Sequence, residues 1–432
     1  MSGSPDQSRS SMIRRHRDGL LDALTFKHPI GTRKKHNVAF INTHPIQYFA
    51  PLYAYLNRLD DFAVSAIYLS DYSIRGAVDD GFAHNVKWDI DLLTGYNVRF
   101  VAGADRRGAP AGFLSMVVPE LWREVRGGGF SAVIVHGHTP AATLVAAAAA
   151  RSARIPVLMR GETHLGLRRS RVKNMLRRPV IGACYRWFDG VLAIGSANHD
   201  FYRAMGVPER RIFTMPYTVD NDRFIAASHL STVERAELRA GFGVTDDRPV
   251  VLFAAKFQRR KRPDDLLRAA SRLRDEKADF HLLMIGSGEM ETELRFLAQT
   301  LSLDNIHFAG FVNQAALPRY YAASDIFVLP SENEPWGLAV NEAMCAGMPI
   351  VASSEIGCAR DLVRNGVNGR TFAAGDITGL ADALMPLVAN AEMRRLMGRA
   401  SKRLISRWSY AECEVGLRQA LTRIAAPAGW AT

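Results

Sequence analysis

Short apolar runs alternate with longer amphipathic stretches through the first half of the chain. Each run is rich in Val, Ile, Phe and Ala, which is typical of a strand buried on both faces. The predicted strands of this half are Val38–Asn42, Ala63–Leu69, Val98–Val101, Ala132–Val135, Pro156–Met159, Gly190–Ile194 and Arg211–Met215. Helical stretches fall between them, notably Thr139–Arg151 and Arg171–Trp187. This alternation predicts a parallel sheet with helices on both faces.

The same pattern restarts after a looser connector that carries one predicted helix, Val233–Ala240. The predicted strands of the second half are Val250–Ala254, His281–Ile285, Ile306–Phe308, Ile326–Leu329, Ile350–Ala352 and Arg370–Phe372. Two doubly wound α/β domains of this kind form a cleft, and ligands bind at the carboxyl ends of their strands. We predict a basic tail at 1–35, domains at 36–218 and 219–410, and a last segment at 411–432 that contains the helix Ala411–Ile424.

The segment Ser331–Pro349 directly follows one predicted strand and holds several candidate functional residues. Pro335 suits the first position of a helix, where its missing N–H costs nothing. Gly347 suits the residue that ends the helix, with a proline two residues later. This reading puts Glu334 in a loop at the helix mouth and Glu342 in the first turns of the helix. A helix that merely happens to carry two acids is the alternative.

Composition narrows the class of protein. The chain has 432 residues, of which 48% are hydrophobic, and no run approaches the roughly 18 apolar residues of a membrane span. We expect no secretory signal, since the first 30 residues lack an apolar core. The four cysteines are widely separated without a C-x-x-C pair, which indicates reduced thiols and no zinc site.

The net charge of +12 is concentrated in two segments of the chain. Residues 1–35 hold eight Lys or Arg against three Asp, and residues 165–178 hold six cations and no acid. The remaining surface is nearly neutral, which argues against a general nucleic-acid-binding field. The tail fits a solvated segment or a membrane-surface helix. The Arg168–Arg178 patch fits an anionic membrane, a polyanionic acceptor or a solvated face.

Three loops follow strands of the second half and should meet at one crevice. The loop Ala255–Pro263 holds five cations, which suit a nucleoside diphosphate. Gly286 and Gly288 lie in a loop that permits close backbone approach, although this short motif is weak alone. The third loop leads to the helix mouth after Glu334, where free N–H groups attract anions. Glu342 is placed to accept hydrogen bonds from a vicinal diol such as ribose.

These residues resemble a known family. Glu334 and Glu342, within Glu-Pro-Trp-Gly-Leu-Ala-Val-Asn-Glu-Ala, are similar to the E-x7-E signature of retaining GT-B glycosyltransferases of family four. Lys256 and Lys261 resemble the family's pair of cations on the donor diphosphate. Further similar motifs are Gly286–Glu289, Phe308–Val312 and Asn365–Gly369. The resemblance is strong over about 245–400 and weaker over 36–220.

The resemblance implies a GT-B fold, two Rossmann-like domains facing a cleft, with the C-terminal helix crossing back to the first domain. It implies a retaining hexosyltransferase that uses a nucleotide sugar in bacterial cell-surface polysaccharide or glycolipid synthesis. Such an enzyme would be cytoplasmic, either free or bound as a peripheral protein at the inner membrane face. Glu334 would lie beside the transferred sugar, Glu342 would hold the ribose, and the Val312 backbone would meet the base. Gly337 and Leu338 would join the donor site at the helix mouth.

The first domain supplies the other candidates. His138 matches the position of the family's active-site histidine, while a structural histidine is the alternative. Arg160, Glu162 and His164 end a predicted strand and fit either a sugar or acceptor contact or a buried ion pair. The first loop lacks the family's Gly-Gly pair, so we expect His44 or Gln47 to take over its phosphate contact.

Two D-x-D patterns, Asp89–Asp91 and Asp220–Asp222, raise the question of a metal. Neither follows a strand in the expected way, and the basic loop already supplies positive charge, so we expect metal independence and no cofactor. Two other functions stay open: a GT-B epimerase or hydrolase, and a basic protein that binds nucleic acid or membrane. A dehydrogenase is disfavoured because neither G-x-G completes the dinucleotide fingerprint.

Overall fold

The computed structural model describes residues 36–79, 84–110, 112–137, 141–167 and 179–425. Its first sheet has seven parallel strands in the order β5-β2-β1-β6-β7-β8-β9. These strands are β1 (His36–Asn42), β2 (Phe62–Tyr68), β5 (Asn97–Phe100), β6 (Ala132–His136), β7 (Val157–Arg160), β8 (Gly190–Ala193) and β9 (Ile212–Thr214). A short antiparallel hairpin, β3 (Ala77–Asp79) and β4 (His84–Val86), lies between β2 and β5 in the chain.

Helices connect the parallel strands and cover the sheet. They are α1 (Ala50–Asn57), α2 (Tyr72–Arg75), α3 (Pro119–Gly127), α4 (Ala141–Ser152) and α5 (Ser196–Ala204). The alanine-rich α4 is buried along most of its length, because small side chains let it pack closely against α3 and β6. The seven predicted strands agree with the observed ones to within one residue at most ends. The five inner strands are mostly buried, as predicted for this topology, whereas the edge strands β5 and β9 are partly exposed.

The second sheet has six parallel strands in the order β12-β11-β10-β13-β14-β15. They are β10 (Val250–Ala254), β11 (His281–Ile285), β12 (Ile306–Gly310), β13 (Ile326–Leu329), β14 (Ile350–Ser353) and β15 (Gly369–Phe372). The helices of this half are α6 (Asn221–Ala227), α7 (Thr232–Gly241), α8 (Pro263–Asp275), α9 (Glu291–Thr300), α10 (Leu317–Ala323), α11 (Leu338–Cys345), α12 (Ala359–Leu362), α13 (Ile377–Ala389), α14 (Ala391–Ile405) and α15 (Tyr410–Ala425).

The last helix crosses back to the first domain. α15 packs on β8, β9 and α1, where Arg418 Nη2 donates to Asp61 Oδ1 at 2.8 Å and Tyr55 donates to Glu414 at 3.0 Å. One cluster of buried apolar side chains runs from the first sheet into the second and includes Phe40 and Leu252. The two facing Rossmann-like domains and the crossing helix confirm the predicted GT-B fold.

The chain therefore passes between the domains twice, once on the way into α6 and once on the way into α15. Asn221 ties these two crossings together, because its side-chain amide donates to the carbonyl oxygens of Ile405 and Trp408, each at 3.2 Å. Both sheets fall inside the predicted domain ranges, and the boundaries at 218 and 410 stay predictions.

One local prediction was wrong. α11 begins at Leu338, not at Pro335, because Gly337 adopts the left-handed conformation (φ 96°) and serves as the N-cap. Only glycine adopts this conformation without a steric cost. The predicted end is confirmed, since Gly347 (φ 80°) follows the helix.

Three predicted features lie outside the described residues: the basic tail at 1–35, the Arg168–Arg178 patch and His138. Across the portion of the chain that the structure does describe, no helix combines the length and apolar character that crossing a membrane requires.

Candidate active site

A cavity of about 310 Å³ lies between the domains at the carboxyl ends of the second sheet's strands. The first domain contributes Gln47, Tyr48, Trp88, Glu162 and Tyr217 to its walls. Among the residues predicted for donor binding or catalysis, the cavity brings together Lys256, Lys261, Gly286, Val312, Glu334, Gly337, Leu338 and Glu342. Lys256 and Glu342, which are 86 positions apart in sequence, thus line the same cavity because each follows a strand of one parallel sheet.

Glu334 lies on the loop after β13 and is held by two cations of the basic loop. Arg260 Nη1 donates to its Oε2 at 3.0 Å, and Lys261 Nζ bonds to the same oxygen. Burial alone raises the pKa of Glu334, but the charges and hydrogen bonds of Lys261 and Arg260 outweigh burial and leave the pKa below its ordinary value. Glu334 is therefore an ionised carboxylate, although only 8% of its surface is exposed.

Lys261 is itself buried, and burial lowers the pKa of its ammonium while Glu334 opposes that effect. Arg260 keeps a partly exposed side chain and also lines the cavity. The sequence predicted the basic loop as a phosphate site, but it did not predict that Glu334 would be the partner of these cations.

The first turn of α11 also faces the cavity. Gly337, Leu338 and Ala339 line it, and the first N–H groups of a helix have no partner within the helix. These N–H groups and the positive end of the helix dipole favour an anion at this point. With Lys256 and Lys261 on the same cavity, the arrangement suits a diphosphate.

Glu342 lies on α11, where Tyr48 of the first domain donates to its Oε1 at 3.2 Å and Tyr321 donates to its Oε2 at 2.8 Å. Burial raises the pKa of Glu342 to about 7, and the two tyrosine hydrogen bonds and the charge of Arg223 oppose the rise. Glu342 thus differs from Glu334: one carboxylate titrates near neutral pH and the other stays ionised.

A network of buried polar groups fixes the loop that carries Glu334. His164 Nδ1 accepts from the Gly166 N–H, so its Nε2 carries the proton and donates to the Glu334 carbonyl oxygen at 3.0 Å. Trp336 Nε1 donates to Asn341 Oδ1 at 3.0 Å, and Asn341 Nδ2 donates to the Tyr217 carbonyl at 3.0 Å. Both links join the loop to the first domain or to α11. His164 therefore positions Glu334 through the backbone.

Two further candidates, Arg160 and His44, do not line the cavity. Arg160 is 2% exposed, donates from Nη2 to the Pro216 carbonyl and lies over the rings of Phe49 and Tyr217, so a ligand contact is not supported there. His44 bonds to Thr43 and Tyr72 inside the first domain, whereas Gln47 does reach the cavity.

Gly288 lies two residues beyond Gly286 in the same loop and does not line the cavity, and its donor contact stays a prediction. His136, two residues before the predicted histidine, is half-buried, and desolvation holds the pKa of its imidazole well below the ordinary value.

A second cavity opens beside the first. Glu162, Arg260 and Glu334 line both, and Leu167, Asn333 and Pro335 complete the lining of the second. Tyr217 donates to Glu162 Oε1 at 2.7 Å, and burial of the group raises the pKa of Glu162. Glu334 therefore lies at the boundary between the two cavities, where a ligand in each could approach it.

Both D-x-D patterns have structural uses. Asp89 Oδ1 accepts from the Ala315 N–H, Asp91 Oδ1 accepts from Leu93 and Thr94, and Asp220 caps α6 through the Arg223 N–H. In the described ranges no three His, Cys, Asp or Glu side chains are grouped as a metal site. Metal independence stays a prediction.

The two facing domains, the crossing helix and the cavity at their strand ends define the architecture as a GT-B fold. Residues 48–218 match the family "Glycosyl transferase 4-like domain", and residues 234–404 match the family "Glycosyl transferases group 1". The chain belongs to the glycosyltransferases of family four.

Individual relatives agree with this assignment. The D-inositol 3-phosphate glycosyltransferase of Geodermatophilus obscurus is 35% identical over 198 residues, 44% of this chain and 42% of that one. The putative glycosyltransferase EpsD of Bacillus subtilis is 28% identical over 64% of this chain and 73% of its own. The crystal structure of Anabaena HepE in complex with UDP and glucose has a TM-score of 0.68 at 19% identity and covers 90% of this chain and 99% of that one, which shows the shared fold.

The matched part of the chain spans 36% to 52% of the length of the first curated relatives. Their activities and substrates therefore enter only as proposals for this protein.

Proposed function

We propose that the protein transfers a hexosyl group from a nucleoside-diphosphate sugar to an acceptor hydroxyl, with retention of the anomeric configuration. The observation that carries this proposal is the cavity that joins Lys256, Lys261 and the α11 N-terminus to Glu334 on one side and Glu342 on the other. The cations and the helix N-terminus are complementary to a diphosphate, Glu334 to a sugar and Glu342 to a ribose, and all of them line one cavity.

The spacing of the strands supports the order of these groups. Val312 follows the edge strand β12, whereas Glu334 follows β13, three positions further along the sheet. Adjacent strands are about 4.8 Å apart, so these two loops lie roughly 14 Å apart along the crevice. A nucleotide sugar can extend over this distance with its base at Val312, its diphosphate at the α11 N-terminus and its sugar at Glu334.

In this proposal the cations have two roles. They bind the diphosphate in the ground state and stabilise the charge that develops on it when the bond from the anomeric carbon to the phosphate oxygen breaks. Glu334, ionised and fixed by Lys261 and Arg260, orients the sugar and faces the positive charge that develops there. The acceptor oxygen attacks from the face that the diphosphate leaves, and the departing phosphate takes its proton.

The second cavity is the proposed route of the acceptor, because it reaches Glu334 from the side of Glu162. One oxygen of Glu162 accepts from Tyr217, and the carboxylate can accept a hydrogen bond from an acceptor hydroxyl. The name of the D-inositol 3-phosphate relative supports a polyol or sugar as acceptor. The family resemblance favours cell-surface polysaccharide or glycolipid synthesis at the inner membrane face, and the lipid-linked and membrane parts rest on that resemblance alone.

The proposal is tested by nucleotide binding and product analysis. A native-state ligand raises the unfolding midpoint, so UDP, GDP, ADP and their sugars are compared by thermal shift. The best donor is then incubated with candidate polyol and sugar acceptors, and the anomeric configuration of the product is read by NMR. We expect a midpoint rise with a nucleoside diphosphate and a product that keeps the donor's configuration.

Each contrary outcome is informative. Release of free sugar at the same rate with and without every acceptor would identify a hydrolase. An inverted product would refute the retaining mechanism, and a midpoint that no nucleotide moves would refute the donor site.

A glycine behind the Glu334 loop gives an independent prediction. Gly357 N donates to the Glu334 carbonyl at 3.1 Å, and a Cβ at Gly357 would lie 1.9 Å from the Pro335 carbonyl oxygen. A clash with a backbone oxygen cannot be relieved by rotating a side chain, so Gly357→Ala displaces the loop. The rate of sugar transfer is expected to fall about a hundredfold. The matched control is Gly241→Ala at the end of α7, where an added Cβ meets nothing within 4 Å.

Initial rates and circular dichroism are measured on both variants. A Gly357→Ala enzyme that is folded and as fast as Gly241→Ala would show that the position of the loop is unimportant.

A further inference from the structure

A segment of the first domain reaches across the cleft to the second domain. We name residues 87–91 the strap. The Lys87 carbonyl accepts from Asn313 Nδ2 at 2.7 Å, and Asp89 Oδ1 accepts from the Ala315 N–H at 2.8 Å. The strap is continuous with Leu92, which is 2% exposed and buried in the core. It is thus anchored in its own domain and bonded to the other.

The strap is bonded to the loop that follows β12, residues 311–315, which we name the base loop. Arg223 holds the same loop from within the second domain: Nη1 donates to the Gln314 carbonyl at 2.6 Å, and Nη2 donates to Gln314 Oε1 at 3.0 Å. The base loop is therefore fixed by hydrogen bonds from two directions.

Trp88 lies on the strap between the two anchored residues, and it lines the cavity together with Phe311, Val312 and Gln314. Its environment differs from that of Trp336, the other tryptophan in the lining. Trp336 is 2% exposed and its N–H donates to Asn341, so its role is to pack in the core. Trp88 is only partly buried: it packs against the core cluster that joins the two sheets and also lines the cavity beside the base loop. An aromatic face beside such a loop suits a flat, aromatic ligand.

We infer that Trp88 forms one face of the nucleobase site, so that the first domain contributes to recognition of the nucleotide. This inference rests on the proposed donor site and extends it, since the other residues proposed to contact the base and the ribose, Val312 and Glu342, lie in the second domain. Every base has a π-face, so Trp88 stacks on any base and supplies affinity, while the base loop reads the base edge. The strap bonds hold Trp88 beside the base loop across the cleft.

The inference separates ligands that have a base from those that lack one. Trp88→Ala is expected to raise the dissociation constant of a nucleoside diphosphate at least about tenfold and to leave that of inorganic pyrophosphate unchanged. Trp88→Phe is expected to keep most of the affinity because it keeps an aromatic face. The matched control is Trp187→Ala, which removes a 51% exposed tryptophan of the same domain outside the cavity.

Calorimetric titrations with pyrophosphate and with whichever of UDP, GDP and ADP binds wild type best provide the measurement. Asp89→Ala, which removes one strap anchor, is expected to weaken the nucleotide several-fold and spare pyrophosphate. Equal affinity of wild type and Trp88→Ala for the nucleotide overturns the inference. So does an equal loss for nucleotide and pyrophosphate, which would trace the effect to the fold or to domain closure. A wild type that binds none of the nucleotides refutes the proposed donor site itself, which is a different result.

Discussion

Glu334→Gln is expected to lower the turnover number of sugar transfer about a hundredfold to a thousandfold and to change donor affinity little. Glutamine keeps the shape of the side chain but removes the negative charge that faces the anomeric carbon as positive charge develops there. It also leaves Lys261 and Arg260 without their shared carboxylate oxygen. The diphosphate still meets both cations and the α11 N-terminus, so binding survives while the chemical step suffers.

The same loop offers a matched control for this change. Glu332 is two residues away, pairs with Arg262 at 3.1 Å and lies outside the cavity lining. Glu332→Gln is therefore expected to transfer sugar at nearly the wild-type rate. Steady-state kinetics with a fixed acceptor separates the turnover number from the donor KM. A Glu334→Gln enzyme as fast as Glu332→Gln would remove Glu334 from the mechanism.

Glu342→Gln is expected to weaken nucleotide binding at least about tenfold, because a ribose diol loses a charged acceptor. The effect depends on pH. The pKa of Glu342 is raised to about 7, so the wild-type carboxylate becomes ionised between pH 6 and pH 8 and its advantage over glutamine grows across that range. Titration of the ligand's phosphate affects both proteins equally and cancels in the ratio of their dissociation constants. A ratio that stays constant with pH would contradict the assignment.

The same substitution weakens ligand binding but is expected to make the folded protein more stable than wild type as the pH rises. Folded protein keeps the proton on Glu342 up to about pH 7, whereas the unfolded chain releases it near the ordinary value of 4.5. Between these values the folded state binds more protons, so stability from this group falls as pH rises. Glutamine does not titrate. The unfolding midpoint of Glu342→Gln should therefore rise relative to that of wild type from pH 5 to pH 8, by the equivalent of roughly 2.5 kcal/mol.

Local pattern was enough to predict the strands and to predict which of the following loops meet at one edge of the sheet. Short apolar runs specify buried parallel strands, and parallel strands bring their following loops to one edge. This is why Lys256, Gly286, Val312 and Glu334 could be grouped from sequence. The start of α11 was misplaced because proline and glycine both suit a helix beginning. The left-handed conformation of Gly337 depends on the path of the loop from Glu334, which the sequence does not specify.

Contacts between the domains could not be predicted from sequence. Tyr48 bonds to Glu342 and the strap bonds to the base loop only because of how two separately folded domains face each other. No periodicity near Trp88 indicates this. Arg160 shows a second limit of sequence patterns: it ends a strand beside the cleft, as predicted, and its guanidinium turns inward against Phe49 and Tyr217. A strand position limits where a residue lies and leaves the side-chain direction open.

The two chain crossings joined by Asn221 have a practical consequence for engineered hybrids. An acceptor domain borrowed from a relative is not one continuous segment of sequence, because α15 packs on its surface from the far end of the chain. A hybrid cut only near residue 218 would place a foreign helix on that surface, losing the bond between Asp61 and Arg418. A sound exchange takes the N-terminal segment and α15 together and leaves Asn221 with its own partners at Ile405 and Trp408.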